Sequence, residues 1–353
     1  MHNQSSFKKN ILFALIIILF FLIGLWISNK PNGEKLYSKS KFYLGSIVEV
    51  QFYCDDEKSA DHLMKVVFDE FERIDKKYSF YSSESYLAEV NSDTSSLIEV
   101  DDETFLIIKL CDSVYNITNG KFDASIGSLT KLWKKYIEGE DFSLLRVSYG
   151  KDEPENPKLI PDEEEINYSK NNSGWINLRI AGENKIERFK KFSLNFDAII
   201  QGYAADRAIK ILRSNGIEKA LVNASGEIRV IGNNWRIGIK HPRNLNQLIE
   251  KVKLSDYSIA TSGDYEKFIE VDGRRYHHII DPETGFPSTK NMSVTVIAKD
   301  CALADALATG FFSLEPEEII RITNSLDDVY VFIVDSRNQI HKSRNFDKFL
   351  WRK

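Results

Sequence analysis

Residues 258–312 read SIATSGDYEKFIEVDGRRYHHIIDPETGFPSTKNMSVTVIAKDCALADALATGFF, and the fold turns on them. Their end, CALADALATGFF (301–312), is an apolar helix pattern carrying one acid. Asp305 and Thr309 stand four apart, so on a helix they share a face one turn from each other. A carboxylate in an apolar run is costly unless it is paired or binds a cation. Carboxylate plus hydroxyl is a hard donor set, suited to Mg2+ rather than zinc. The alternative also stands: Asp305 bonds a nearby backbone amide and Thr309 bonds its own helix carbonyl.

Upstream, HHIIDPETGFP (277–287) joins a strand-like piece to a turn. Asp281-Pro282 and Thr284-Gly285 are turn formers, and Pro287 closes the loop. His278 sits where the strand end meets the loop, where a His serves as acid, base or phosphate donor near neutral pH, or as a structural residue. ATSGDY (260–265) adds small residues whose backbone can approach a ligand closely.

Three motifs in order, TSGDY, H-I-I-D-P-x-T-G-x-P and ADALAT, resemble the ApbE family of flavin transferases, FAD:protein FMN transferases. The resemblance spans roughly residues 40–335, by the positions of its motifs. It implies an α+β fold, T-fold-like, with a mixed sheet, flanking helices and a flavin cleft between two lobes. It implies Mg2+ held by Asp305, Thr309 and the Ala198 carbonyl, with FAD as substrate. His278 and Asp281 are then the catalytic candidates, His278 as base and Asp281 as orienter of the loop or of His278.

Further matches follow along the chain. Leu44-Gly45-Ser46 stands where the family shows Met-Gly-Thr near the flavin nucleotide. Ser79, Tyr81, Ser85 and Asn91 match a segment lining the FAD pocket, and Tyr81 suits a flat ring system. Phe122, Asp123, Ser125, Gly127, Leu129 and Trp133 match in type, with Ser128 where a Pro is usual. Ala198, Gly202, Tyr203 and Asp206 match Ala-x-x-Lys-Gly-Tyr and its sequel, but Gln201 replaces the Lys. A neutral amide can hydrogen-bond flavin but cannot neutralise phosphate. Ser225-Gly226-Glu227-Ile228 replaces Gly-Gly-Glu-Ile. The implied dinucleotide-binding residues are therefore Leu44, Tyr81, Asn91, Asp123, Gln201, Gly202, Glu227, Ser262, Gly263 and His278.

The remaining chain sets bounds. With 353 residues, 42% hydrophobic and 28% charged, the balance is that of a globular protein. A net charge of −5 gives no basic footprint for nucleic acid. Cys54, Cys111 and Cys301 show no metal spacing and argue against a disulfide scaffold. Residues 11–28 are uncharged and nearly all apolar, about the length of a membrane-spanning helix. A cleaved signal peptide is the rival, but Trp26 and Ile27 make a poor cleavage site, and no Cys follows for lipoprotein processing. Lys8 and Lys9 favour a cytoplasmic N-terminus (residues 1–10), putting the catalytic domain on the outer face of the cytoplasmic membrane.

Residues 29–41 read as a polar linker and 42–353 as the flavin transferase domain. FYLGSIVEVQFYC (42–54) reads as a strand, residues 56–77 and 101–118 as helices, and 202–215 as a helix whose N-terminus suits phosphate. Residues 136–191 read as surface decoration, and FDKFLWRK as a docking tail. Three functions compete. One is transfer of FMN from FAD to a Thr or Ser hydroxyl of an acceptor protein, such as a subunit of a membrane redox complex, releasing AMP. The second is an FAD pyrophosphatase yielding FMN and AMP. The third is a non-catalytic flavin-binding membrane protein.

Overall fold

The computed structural model describes residues 33–139, 158–232 and 234–352. In chain order the strands and helices begin with β1 (Lys35–Tyr43), β2 (Ser46–Cys54), α1 (Glu57–Tyr78), α2 (Tyr86–Ser92), β3 (Leu97–Glu99), α3 (Asp102–Ile117) and α4 (Gly127–Ile137). There follow α5 (Glu163–Asn171), β4 (Leu178–Gly182), β5 (Lys185–Arg188), α6 (Ile200–Ser214), β6 (Ala220–Ala224), β7 (Glu227–Ile231), β8 (Trp235–His241) and β9 (Asn244–Leu254). The rest are β10 (Ser258–Gly263), β11 (Phe268–Val271), β12 (Arg274–His277), β13 (Asn291–Ala298), α7 (Cys301–Phe311), α8 (Pro316–Thr323), β14 (Tyr330–Asp335) and β15 (Ile340–Lys342).

An eight-stranded sheet in the order β1-β2-β6-β7-β10-β13-β14-β15 is the frame. The α+β architecture is the expected one, but every pairing in this sheet is antiparallel rather than mixed. Its central strands are apolar on both faces, and alternate residues go to different cores. Ala220, Val222, Val296, Val331 and Ile333 face one core, shared with α1, α6 and α7. Leu221, Ile297, Phe332 and Val334 face the other, closed by Ile237, Ile239, Val252 and Leu254 of the β8–β9 hairpin. Phe346 and Phe349 join that second core, so the C-terminal stretch does dock.

Local chemistry sets the helix starts. Asp56 caps α1 through Ser59 N at 2.9 Å, and Asp101 caps α3 through Thr104 N at 2.8 Å. The stripe Leu63, Val67, Phe71 and Ile74 of α1 is buried, as its spacing requires.

Three readings of the sequence change. Most of the linker, from Lys35, is strand β1; it lies at the sheet edge, paired on one side only, so it carries polar residues and no apolar alternation. The single strand read at 42–54 is a hairpin end, turned by Leu44 (φ 53) and Gly45 (φ 74). A two-residue turn with both φ positive matches strand twist, and the second position suits Gly. Of residues 136–191, the described part is integral. Asp162 and Glu165 form a capping box on α5, whose Ile166 packs with Trp133 of α4, while Trp175 and Ile186 are buried in the main core. Residues 11–28, the expected anchor, lie outside the described residues. Among the described residues no helix is long and apolar enough to cross a membrane.

Candidate functional site

α6 and α7 cross in contact because Gly202 has no side chain: a Cβ there would stand 2.4 Å from Cys301 O. The first N–H groups of a helix have no partner within it. α6's N-cap residue, Ile199, makes no side-chain cap, and Asp305 of α7 takes the role, its Oδ2 accepting from Gly202 N at 3.0 Å. The backbone-amide alternative for Asp305 is thus realised, yet one amide does not offset burial. Burial, then nearby Glu266 and Asp206, push its pKa to about 7 against that hydrogen bond. One turn on, Thr309 Oγ1 lies 3.2 Å from Ser262 Oγ on β10. Ala198 precedes α6, and the N–H four residues on belongs to Gly202, which Asp305 has taken. No hydrogen bond to Ala198 O is found among the described residues.

Ala198, Asp305 and Thr309 line one cavity of about 780 Å³. Leu44 and Gln201 line it too, tied by a bond from Gln201 Nε2 to Leu44 O at 3.1 Å. Glu227 enters after the Ser225-Gly226 turn, whose φ values are 69 and 117. Its Oε2 is buried with no hydrogen-bond partner. Burial, then the charges of Asp305 and Glu266, raise its pKa well above the usual carboxylate range. Asp123 also lines the cavity, but its oxygens accept from Ser125 and Trp175, so it braces the wall. Tyr81 lines the cavity with Lys134 Nζ 3.3 Å from its ring centroid.

The two histidines separate. His277 is buried: Ile279 N donates to its Nδ1, so Nε2–H donates to Ser288 O at 2.7 Å, and the ring is a neutral brace. His278 lines the cavity. The protein around it, then His277 and Lys267, lower its pKa to about 4. Its ring is exposed to the open cleft, so water limits that shift; the downward direction keeps it neutral at pH 7. Nδ1 approaches Lys267 O at 3.4 Å, a contact that places the proton on Nδ1 and leaves Nε2 basic.

Four expected residues do not line the cavity. Asp281 instead accepts Lys121 Nζ at 2.9 and 3.1 Å and Glu283 N at 3.0 Å, pinning its loop. Asn91 clasps Leu194, donating to its O at 2.9 Å and accepting its N at 2.7 Å, and so fixes the chain leading to Ala198. Gly202 acts from behind, through the helix crossing. Gly263 makes room for Tyr265, whose ring a Cβ would meet at 2.3 Å. Sequence reading missed Lys121, Asp197, Tyr265 and Glu266, all at the cavity. Tyr265 closes the TSGDY motif and Glu266 follows it, so both could have been sought there; Lys121 and Asp197 carry no periodic signal.

Among the described residues no group of three or more His, Cys, Asp or Glu is arranged to hold a metal. The donor set here differs: one carboxylate, one hydroxyl and one carbonyl, with the orphaned Glu227 oxygen in the same cavity. Such oxygens fit Mg2+.

A model of the ApbE family matches residues 44–333. A FAD:protein FMN transferase of Vibrio cholerae is 32% identical over 293 residues, covering 79% of this chain and 82% of that protein. The crystal structure of the ApbE protein from Thermotoga maritima superposes with a TM-score of 0.77 at 30% identity, covering 90% of this chain and 100% of that one. The flavin transferase ApbE from Vibrio cholerae gives a TM-score of 0.75 at 28% identity, covering 90% and 100%.

Proposed function

The chain belongs to the ApbE family, and from that premise we propose that it is an FAD:protein FMN transferase acting on a Thr or Ser hydroxyl of an acceptor protein. The observation that carries this reading is the convergence of Ala198, Asp305, Thr309 and His278 on one cavity of dinucleotide size.

Ala198 O, Asp305 and Thr309 would hold Mg2+, which polarises a phosphoryl oxygen and neutralises developing charge. His278 takes the proton of the acceptor hydroxyl on Nε2, and its lowered pKa keeps that nitrogen free at neutral pH. The hydroxyl oxygen bonds to the phosphorus on the FMN side, the pyrophosphate P–O bond breaks, and AMP leaves. Tyr81, Leu44, Gln201, Glu227 and Ser262 contact the dinucleotide, while Asn91, Asp123, Gly202 and Gly263 shape the wall. Asp281 positions its loop and Lys121 rather than touching substrate. Residues 11–28 anchor the catalytic domain, residues 42–353, on the outer face of the cytoplasmic membrane, where a membrane redox subunit would be its acceptor.

Incubating the full chain with FAD, Mg2+ and an acceptor carrying a Ser/Thr flavinylation site tests this. Covalently labelled acceptor plus AMP is the expected result. Free FMN and AMP with unlabelled acceptor would replace it with the pyrophosphatase. Bound FAD without products would leave a binding protein, the reading that neutral Gln201 favours.

A further inference from the structure

Asp206 lies one turn along α6 from Gly202, and it does for α7 what Asp305 does for α6. Its Oδ1 accepts from Cys301 N at 3.0 Å and its Oδ2 from Ala302 N at 2.9 Å. α7's own N-cap residue, Asp300, makes no side-chain capping bond. Each helix therefore has unpartnered N–H groups at its start, and each receives its cap from a carboxylate of the other. The exchange needs the close crossing that Gly202 permits, since a Cβ there would also stand 2.7 Å from Cys301 C and 2.9 Å from Ala302 Cα. From the sheet side, Arg229 Nε stands 3.3 Å from Asp206 Oδ1. That nitrogen makes no hydrogen bond, so the contact is one of charge rather than alignment.

The first turn of α7 sets where Asp305 and Thr309 point, because they follow at one and two turns. It also sets whether Asp305 reaches Gly202 N, and through that whether Ala198 O stays clear of its helix. We propose that Asp206 is a positioning residue for the cation site: it locks α7 to α6 so that the Asp305 carboxylate, the Thr309 hydroxyl and the Ala198 carbonyl present together. The inference rests on the reading that those three hold a divalent cation. Residues that hold metal ligands in place are worth about 10- to 100-fold in metal affinity.

The test uses the full chain without FAD, titrated with Mn2+ and read by electron paramagnetic resonance, beside a metal-free FAD titration and a thermal melt. Asp206→Ala is expected to weaken Mn2+ at least about tenfold while metal-free FAD affinity holds. Asp206→Asn keeps one acceptor oxygen for one of the two N–H groups, so it falls between wild type and Asp206→Ala. A merely structural residue would lower the melting temperature and both affinities together, and that result overturns the proposal. Unchanged Mn2+ affinity in folded Asp206→Ala overturns it while leaving the transferase reading intact. If Asp206→Ala does not fold, Asp206→Asn decides: weakened Mn2+ with an unchanged melt supports the proposal, and unchanged Mn2+ overturns it. A wild-type chain that binds no Mn2+ removes the cation site and this proposal with it.

Discussion

Two clusters of acids touch the first half of α6, one through Tyr203 and Arg207 and the other through Gly202, and they are built in opposite ways. Where α1, α3 and α6 meet, each acid has cations. Glu70 accepts from Arg73 and Arg207, and Glu103 from Arg73, Lys77 and the Tyr203 hydroxyl. Burial alone would raise the Glu103 pKa, but these partners outweigh it and hold it at about 2. At the cavity Asp305 and Glu227 are buried, Asp197 and Glu266 stand at the open cleft, and the surrounding protein raises the pKa of all four. Glu227 has an oxygen with no partner at all. A seam that satisfies its charges internally holds the fold; a pocket that leaves them unsatisfied is poised for a charge brought from outside.

Substitution at Asp305 puts the largest strain on that contrast. Asp305→Asn keeps an oxygen for Gly202 N–H but removes the charge. Transfer is expected to fall by about a thousandfold, the scale of several kcal/mol of charge stabilisation. The melting temperature of the metal-free protein should hold or rise, because an uncompensated buried charge is gone. Full Mg2+-dependent turnover in this variant would erase the distinction between the two clusters.

His278→Ala should slow transfer by about a hundredfold while FAD still binds. Because a base must be neutral and this His is lowered from 6.5, the acid limb that His278 contributes to the wild-type rate at saturating Mg2+ should lie below pH 6.5 and be missing from His278→Ala. A pH profile left unchanged by His278→Ala would rule His278 out as the base.

Glu103→Gln probes the satisfied seam and should reverse the pattern: about 1–3 kcal/mol of stability lost, with transfer unaffected. Its sign with pH follows from a folded pKa of about 2 against an ordinary value of 4.5. The stabilisation is complete above 4.5 and is lost as pH falls from there toward about 2, which acid unfolding of wild type and variant would display. The smallest effect belongs to Gln201→Ala. Losing one bond of about 1 kcal/mol to Leu44 O should raise the FAD KM roughly fivefold through a looser turn. An unchanged KM would free Gln201 from that duty.

The helical spacing of CALADALATGFF exposed α7, and its lone acid lines the cavity. An unpartnered carboxylate in an apolar stripe is a local contradiction that a single sequence displays. Asp305, Thr309, Ala198 and His278 were legible for that reason or through motifs, and the cavity does gather them. Strand β1 was hidden because an edge strand exposed at nearly every position has no apolar alternation to read. Trp175 and Ile186 looked like surface because their partners lie far off in the chain. The His277–His278 doublet could not be assigned locally, since neighbouring residues at a strand end point in different directions. Asp281 carried a motif yet serves its loop, and its partner Lys121 stands 160 residues away in sequence. The strand order was likewise a matter of long-range pairing.

Crystals of the full chain grown with FAD and Mn2+ would test the central claim most directly, through the anomalous signal of the metal. The expected map has one peak beside the Asp305 carboxylate, the Thr309 hydroxyl and the Ala198 carbonyl, next to the FAD pyrophosphate. FAD bound in the cavity with those three oxygens turned away and no peak between them would contradict it.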